Sequence, residues 1–425
     1  MYGGDGLARL PADEHGRGKA AFVPFVLEGE EVEVTLTEEK PGFARARAHQ
    51  VLRPSAQRID PGCPYFQRCG GCHYQHTSYE HQLEIKAAIL KENLRRIAKL
   101  ELKEELILHP SPPWNYRNRS RLKVQTKPEF ALGYFKFNSH ELLPVEQCPI
   151  SSPLINRAIA ELWKWGRAAQ IELPLREIEL FVNADDSELL VELDVGPEAS
   201  ADDANRIAEE IRQKFPQAVG VVVSRQSSKS TQQGGGEPER LAVSGVGELV
   251  YRTERASYRV SAGGFFQVNR YLVGELADLV TANRTGEIAL DLYAGGGLFS
   301  SILAGNFAQA IAVEPSQTSY PDLLHNSPAN VKTVRATSEL YLQKAGVLRP
   351  DLLVVDPPRS GLGASVVKRL VASRAPRITY VSCDPATLAR DLGGLLGGGY
   401  RVEQAHLVDL FPQTYHLESV FHLVR

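Results

Sequence analysis

The sequence predicts a multidomain protein with an OB-like β-barrel, a mixed α/β central domain and a C-terminal α/β domain built on a mostly parallel sheet. Three observations predict this fold class. Short β runs with glycine turns come first, a mixed pattern follows from Trp114, and apolar strands alternate with helices after Gly263. The 425 residues are enough for several domains, and the changes of pattern place these at 1–56, 57–262 and 263–425.

The composition is that of a globular chain, with 43% hydrophobic residues, 23% charged residues and a net charge of −3. This near-neutral charge excludes nucleic-acid binding by the whole surface as a polycation, but it leaves room for a local basic surface. The sequence has no apolar run long enough for a membrane span and no apolar signal-peptide core at its start. We therefore expect a cytoplasmic protein, whose five cysteines are too few for a disulfide framework.

The N-terminal unit contains short, partly alternating β runs at 22–26, 31–36 and 44–48. Several short strands in so little sequence predict a five-stranded barrel of the OB type. A loop rich in Cys and His follows over 61–76. Beyond it, apolar residues at three- and four-residue spacing predict an amphipathic helix over 79–99, which can pack on the C-terminal domain: Leu83, Ala87, Leu90, Leu94 and Ile97.

The central domain is predicted to mix both kinds of secondary structure. Its apolar alternation predicts a helix at 201–214 and strands at 118–125, 177–183, 189–194, 219–224 and 249–252. The polar, low-complexity stretch 225–236 cannot bury apolar area, and we expect a mobile hairpin loop or insertion there.

A local basic surface is predicted at the start of the central domain. Between Glu84 and Lys127 the chain has eleven Lys/Arg residues against five Asp/Glu. Four of the cations alternate along one predicted strand and so share one face of it: Arg117, Arg119, Arg121 and Lys123. Such a row of like charges suits the phosphates of RNA. The alternative is a solvated sheet face with counter-charges on neighbouring strands.

The C-terminal domain shows a strand, a glycine turn and a helix start in sequence. Its predicted strands lie at 288–293, 309–314, 331–335, 351–355, 377–382, 401–408 and 416–423. The first ends in Asp291-x-x-x-Gly295-x-Gly297, a turn whose glycines let a ligand lie against the backbone. Glu314 ends the next strand, where a carboxylate can accept the hydroxyls of a ribose. Together they resemble the site for S-adenosylmethionine, a methyl donor, in Rossmann-like methyltransferases, although a plain tight turn is the alternative for the glycines alone.

Two later strands end in polar residues that can carry chemistry. Asp356 closes one strand before two prolines, and Cys383 closes the next just before a helix. A helix N-terminus is expected to lower the pKa of a thiol, although a purely structural cysteine is the alternative. Beside a methyl donor, a thiolate can add to C6 of uracil and make C5 nucleophilic, after which a base must remove the C5 proton. Glu418 is the predicted base, since apolar neighbours can raise its pKa, and His416 is a neighbour or a surface residue.

These segments together resemble the RNA uracil-C5 methyltransferase family. The resemblance rests on 265–269, Asp291 to Gly297, Asp356-Pro-Pro-Arg359, Ser382-Cys-Asp-Pro385 and His416-Leu-Glu418. The start of the chain, Tyr2-Gly-Gly-Asp-Gly-Leu-Ala-Arg9, is similar to a TRAM domain, which points to the branch with an iron–sulfur cluster, typified by ribosomal RNA enzymes.

The resemblance implies a TRAM barrel, a central RNA-binding domain and a Rossmann-like methyltransferase domain that uses S-adenosylmethionine. It implies that Cys383 is the nucleophile and Glu418 the base. It also implies that the following residues line the pocket for cofactor and target uracil: Gln267, Tyr293, Gly295, Gly297, Glu314 and Asp356. The chain departs from the family pattern in two places. Leu298 stands where Asn is usual, and 336–338 offers no Asp or Asn for the adenine amino group.

The other four cysteines are spaced as one site, Cys63-x5-Cys69-x2-Cys72 with a distant Cys148-Pro. By spacing alone, a [4Fe–4S] cluster is favoured, zinc is the alternative, and two disulfides are disfavoured in the cytoplasm. The family resemblance implies the cluster. We expect it to hold the 61–76 loop against the central domain.

The function predicted from the sequence is S-adenosylmethionine-dependent methylation of uridine C5 in structured RNA, with 23S ribosomal RNA favoured over tRNA. A non-catalytic RNA-binding protein with a decayed methyltransferase domain is one alternative, motivated by Leu298 and the missing adenine partner. Cytosine-C5 methylation is another, because it uses the same thiolate chemistry. No membrane and no obligate protein partner are implied.

Overall fold

The computed structural model describes residues 1–11, 18–168, 171, 173–225, 238–282, 284–344 and 349–425. The polar stretch predicted at 225–236 lies outside these residues, except for Arg225. Within the described ranges, no helix combines the length and the apolarity that a membrane crossing needs.

The N-terminal unit is a four-stranded sheet with the order β1-β2-β4-β3. Its strands are β1 (Asp5–Arg9), β2 (Ala20–Pro24), β3 (Glu31–Glu39) and β4 (Phe43–Arg53). Small buried side chains form its core: Ala21, Val23, Ala44 and Ala46. The prediction of five strands is thus wrong by one for the described residues, because 43–53 forms a single long strand with several bulges opposite β3.

The predicted amphipathic helix belongs structurally to the C-terminal domain. It consists of α1 (Tyr79–Asn93) and a π-helical turn (Leu94–Ala98), and it leads to strand β5 (Leu106–His109). Leu83, Leu90 and Leu94 are buried in the apolar core of the C-terminal domain, and β5 is an edge strand of that domain's sheet. Residues 79–109 thus pack with the C-terminal domain while the central sheet starts only at Arg119, and the domain ranges 1–56, 57–262 and 263–425 stay a prediction.

In its described residues, the central domain has a seven-stranded sheet with the order β12-β11-β10-β9-β6-β7-β8 and two helices. The elements are β6 (Arg119–Gln125), β7 (Ala131–Phe135), β8 (Leu142–Pro144), α2 (Pro153–Ala168), β9 (Leu175–Val182), β10 (Leu189–Val195), α3 (Ala201–Lys214), β11 (Ala218–Arg225) and β12 (Glu239–Gly245). Helices α2 and α3 place an apolar stripe on one face of this sheet, where Leu162 and Ile211 are fully buried.

A hairpin and a large sheet complete the chain. The elements are β13 (Glu248–Arg252), β14 (Ser257–Ser261), α4 (Val273–Thr281), β15 (Gly286–Leu292), α5 (Leu298–Leu303), β16 (Phe307–Val313), α6 (Ser319–Asn326), β17 (Val331–Val334), α7 (Ser338–Lys344), β18 (Leu352–Val355), α8 (Gly363–Ser373), β19 (Arg377–Ser382), α9 (Pro385–Gly397), β20 (Arg401–Val408) and β21 (Glu418–Val424). The sheet has the order β17-β16-β15-β18-β19-β21-β20-β5, and its first five strands are parallel. The hairpin packs between this sheet and the central sheet through Tyr251 and Tyr258.

Candidate active site

The polar residues predicted to carry chemistry meet at one edge of the large sheet. Asp356 follows the last residue of β18, and Cys383 follows the last residue of β19. Strand β21 runs antiparallel to β19, with Ser419 opposite Ser382, so Glu418 at its start reaches the same edge. Parallel strands present their carboxyl ends together, which is where ligands bind in such sheets.

The surroundings of Cys383 hold its thiol in the protonated form. The pKa of Cys383 is raised to about 12, chiefly by burial and then by the nearby carboxyl groups of Glu418 and Asp356, with the Arg359 guanidinium opposing them. The expectation that the helix N-terminus lowers this pKa is therefore wrong for the unliganded protein. The cap of α9 is Asp384, whose carboxylate accepts the N–H groups of Ala386 and Thr387.

Glu418 and Asp356 form a buried carboxyl pair. Glu418 is only 6% exposed, and one of its carboxyl oxygens has no hydrogen-bond partner among the described residues. Burial raises the pKa of Glu418 well above its usual value, in the direction predicted from its apolar neighbours, and the charge of Asp356 adds to this. Burial also raises the pKa of Asp356 to about 7. A pair of this kind can accept and return protons near neutral pH.

We expect Cys383 of the free enzyme to be alkylated faster as the pH rises, with no plateau up to pH 10. Because its pKa is raised to about 12, only the small thiolate fraction reacts, and this fraction grows ~10-fold per pH unit below the pKa. Iodoacetamide labelling followed by mass spectrometry of the peptide that contains Cys383 would measure the rate. A plateau near pH 8.5 would mean that the thiol is not desolvated.

The cofactor loop has the backbone conformation that its glycines were expected to permit. Gly295 and Gly297 have φ angles of +54° and +92°, and Tyr293 just before them is also left-handed at +67°. The carboxylate of Glu314 accepts the N–H of Gly295 at 2.8 Å and that of Ser316 at 2.7 Å. Glu314 therefore fixes the shape of this loop, and its remaining lone pairs can accept a hydrogen bond from a ribose hydroxyl.

The two departures from the family pattern have a local structural setting. Leu298 is buried in the core between the sheets, and its backbone carbonyl accepts the hydroxyl of Tyr258 at 3.2 Å. Ala336 packs at the margin of the core of the C-terminal domain.

In the 265–269 segment, Phe266 is in the core while Phe265 is 64% exposed. Gln267 is buried, and its carbonyl accepts the side-chain amide of Asn118 at 2.9 Å.

The predicted phosphate-binding strip carries counter-charges. Strand β9 pairs with β6 so that Glu179 lies opposite Arg121 and Glu177 lies opposite Lys123. Glu179 forms ion pairs with Arg121 at 2.8 Å and with Arg119 at 3.5 Å, and Glu177 contacts Lys123. Arg119 is also buried over the ring of Phe181. The structure thus favours the alternative of a counter-charged sheet face for three of the four residues.

Arg117 is the exception, because it turns toward the cysteines. It lines one cavity of about 60 Å³ together with all four predicted ligands: Cys63, Cys69, Cys72 and Cys148. The cysteines are free thiols, and burial raises the pKa of Cys69 to about 11. In the part of the chain that the structure describes, no three His, Cys, Asp or Glu side chains form a group that would hold a metal ion as they stand. The thiols therefore share one cavity without forming a ready site for a single ion.

A larger cavity of about 710 Å³ lies where the three domains meet. Its walls include Tyr2 from the N-terminal unit, His73 from the cysteine loop, and Arg359, Tyr415 and His416 from the C-terminal domain. Arg359 donates to Nδ1 of His416 at 3.2 Å, and burial together with Arg359 lowers the pKa of His416 to about 3. The local sequence gives no signal for the roles of Tyr2 and Arg359, since only the fold brings the Tyr2 hydroxyl to the carbonyl of Cys383 and the Arg359 guanidinium near its thiol.

Family models match nearly the whole chain. Residues 78–425 match the model of the tRNA (uracil-5-)-methyltransferase family, and residues 2–49 match that of the TRAM domain. An uncharacterized RNA methyltransferase of Caldanaerobacter subterraneus subsp. tengcongensis is 31% identical over 98% of this chain and 94% of its own length. An uncharacterized RNA methyltransferase of Nostoc sp. is 32% identical over 99% of this chain and 94% of its own length.

A solved structure has the same overall architecture. The tRNA (uracil-54, C5)-methyltransferase of Pyrococcus abyssi, in complex with S-adenosyl-L-homocysteine, aligns with a TM-score of 0.75 at 27% identity. The alignment covers 99% of this chain and 100% of that one.

Proposed function

The chain belongs to the RNA uracil-C5 methyltransferase family, with a TRAM domain at its N-terminus, and on this basis we propose that it methylates uridine in structured RNA through a covalent bond between Cys383 and C6. One observation carries the proposal. Cys383, Glu418 and Asp356 from three strands meet at the sheet edge that also bears the cofactor loop. S-adenosylmethionine, when bound, supplies the methyl group, and we assign its binding to Gln267, Tyr293, Gly295, Gly297, Glu314 and Asp356.

The protein's own groups account for the proton movements of the reaction. Because the free thiol is protonated, its proton passes to the carboxylate of Asp356 as the bond between sulfur and C6 forms, which leaves Glu418 free to accept the later proton. C5 then becomes nucleophilic and accepts the methyl group. Glu418 removes the C5 proton, the C5–C6 double bond re-forms, and the thiolate leaves and regains its proton from Asp356. Glu418 finally releases its proton to solvent.

Trapping with 5-fluorouridine RNA tests this assignment. Fluorine at C5 cannot leave as a proton does, so the wild-type protein with cofactor is expected to form an adduct that survives denaturation. Cys383→Ala is expected to form none. Trapping by Cys383→Ala at the wild-type level would refute the role of Cys383.

We propose 23S ribosomal RNA as the substrate, from the resemblance to the ribosomal branch, with tRNA as the second candidate. The second candidate is favoured by the similarity to the tRNA (uracil-54, C5)-methyltransferase of Pyrococcus abyssi. Mapping 5-methyluridine in both RNA pools from a deletion strain separates the two, because only the true substrate loses a modified position. The same analysis tests the alternative of 5-methylcytidine. A cytoplasmic location stays a prediction.

We further propose that the four cysteines hold a [4Fe–4S] cluster. The shared cavity supports this, because buried thiolates require a positively charged partner and these four have one common space. Metal and sulfide analysis of anaerobically purified protein is the test. Zinc without sulfide would contradict the cluster.

The remaining alternative is a non-catalytic RNA-binding protein, which the family assignment does not favour. Leu298 motivates it, since that position departs from the family pattern. Calorimetry with S-adenosylmethionine decides the question, because absent binding would support this alternative.

A further inference from the structure

The first residues of the chain form a turn that packs on the other two domains. The N–H of Gly4 donates to the carbonyl of Met1 at 3.2 Å, and Gly3 and Gly4 have φ angles of +108° and +91°. A Cβ atom on Gly4 would lie 3.1 Å from the ring of His73. The two glycines thus allow the chain to bend back sharply and to lie against the cysteine loop.

This turn places Tyr2 against the peptide of the predicted nucleophile. The Tyr2 hydroxyl donates to the carbonyl oxygen of Cys383 at 3.0 Å, across 381 residues of sequence. The ring of Tyr2 meets that of Tyr415 edge-on, with the centroids 5.5 Å apart. Tyr415 in turn contacts the rings of His73 and His416. The phenol is therefore held by two contacts with the C-terminal domain, and His73 of the cysteine loop packs on Tyr415 behind it.

The carbonyl that accepts the Tyr2 hydroxyl lies at the junction between β19 and α9. Cys383 lies beyond Ser382, the last residue of β19 that pairs with β21, and before Pro385, where α9 begins. The N–H of Asp384, in the same peptide, donates to Oγ of Ser382 at 3.3 Å, and the Tyr2 hydroxyl holds the carbonyl end. Burial raises the pKa of Tyr2, which keeps the hydroxyl a hydrogen-bond donor throughout the neutral range.

We infer that Tyr2 is a positioning residue for the reaction at Cys383, so that the N-terminal domain completes the active site of the C-terminal domain. The inference rests on the proposed function, in which Cys383 is the nucleophile. Holding the carbonyl of Cys383 fixes the direction in which its side chain leaves the backbone. Small errors in the placement of a nucleophile reduce rates strongly.

Tyr2→Phe is the direct test, because it removes the hydroxyl and keeps the ring. Tyr400→Phe is the matched control. It removes the same kind of hydrogen bond, from a phenol to the backbone carbonyl of Ala375 at 2.8 Å, at the far end of the sheet. The rate of adduct formation with 5-fluorouridine RNA and the KM for RNA are measured for both variants. The alkylation rate of Cys383 in the free enzyme is a second readout.

We expect Tyr2→Phe to slow adduct formation by about 2- to 13-fold, the loss of one hydrogen bond of ordinary strength, with KM for RNA unchanged and a melting temperature no lower than that of Tyr400→Phe. Its Cys383 alkylation rate should also differ from the wild-type rate, and Tyr400→Phe should match the wild type in both assays. An unchanged adduct rate in Tyr2→Phe would overturn the inference, and so would a change in KM alone, which would make Tyr2 an RNA contact. If the wild type itself forms no adduct, the proposed function fails and the inference fails with it.

Discussion

Glutamine in place of Glu418 is expected to leave the RNA covalently attached to the enzyme after methyl transfer and to lower kcat by ~10²- to 10⁴-fold, the usual contribution of a general base. Glu418 opens β21 next to Cys383, and burial raises the pKa of its carboxyl group. A glutamine of the same shape can fill this place but cannot take the C5 proton. Without that step the thiolate cannot leave, so natural uridine should behave like the fluorinated base.

The trapped species can be observed with unmodified RNA and a cofactor labelled in its methyl group. Label that migrates with the protein on a denaturing gel reports an adduct that has already been methylated. Glu403→Gln is the matched control, since Glu403 lies on β20 in an ion pair with Arg284, away from the sheet edge that bears Cys383. Release of methylated RNA by Glu418→Gln at the wild-type rate would exclude Glu418 as the base.

The residues of this site could be found from the sequence because their signals are local. A buried parallel strand is recognisable from its own apolar run, and the residue that follows it is then assigned to the carboxyl edge of the sheet. Asp356 and Cys383 could be assigned to this edge without information about distant residues. The glycine turn from Gly295 to Gly297 is likewise specified within a few positions.

The properties that depend on pairing between distant segments could not be predicted. For Arg119, Arg121 and Lys123 the local sequence could not decide between phosphates and counter-charges as partners, because Glu177 and Glu179 are more than fifty residues away and only the register of β6 with β9 brings them together. The pKa of Cys383 was misjudged for the same reason. The helix N-terminus is visible in the local sequence, whereas burial and the carboxyl group of Glu418 depend on the tertiary fold.

Tertiary contacts also tie α1 to the segment that leads into Glu418. Lys86 and Asp409 are fully buried, and the ammonium group donates to the carboxylate at 2.6 Å and to the carbonyl of Phe411 at 2.9 Å. One turn earlier, the side-chain amides of Gln82 and Gln413 bond to each other at 3.0 Å. Burial lowers the pKa of Lys86, and the charge of Asp409 opposes this shift. The charged form of Lys86 therefore depends on Asp409.

Lys86→Met is therefore expected to lower the free energy of unfolding by about 3–5 kcal/mol, because it leaves the charge of Asp409 buried without a partner. Urea denaturation at neutral pH measures the change. Lys91→Met is the control on the exposed side of the same helix and should stay within ~0.5 kcal/mol of wild type. The double variant Lys86→Met/Asp409→Asn should lose less than the sum of the single losses, since neither charge then stays unpaired. A Lys86→Met protein as stable as Lys91→Met would show that α1 is held by its leucines alone and that the buried pair contributes nothing to the seating of the Glu418 segment.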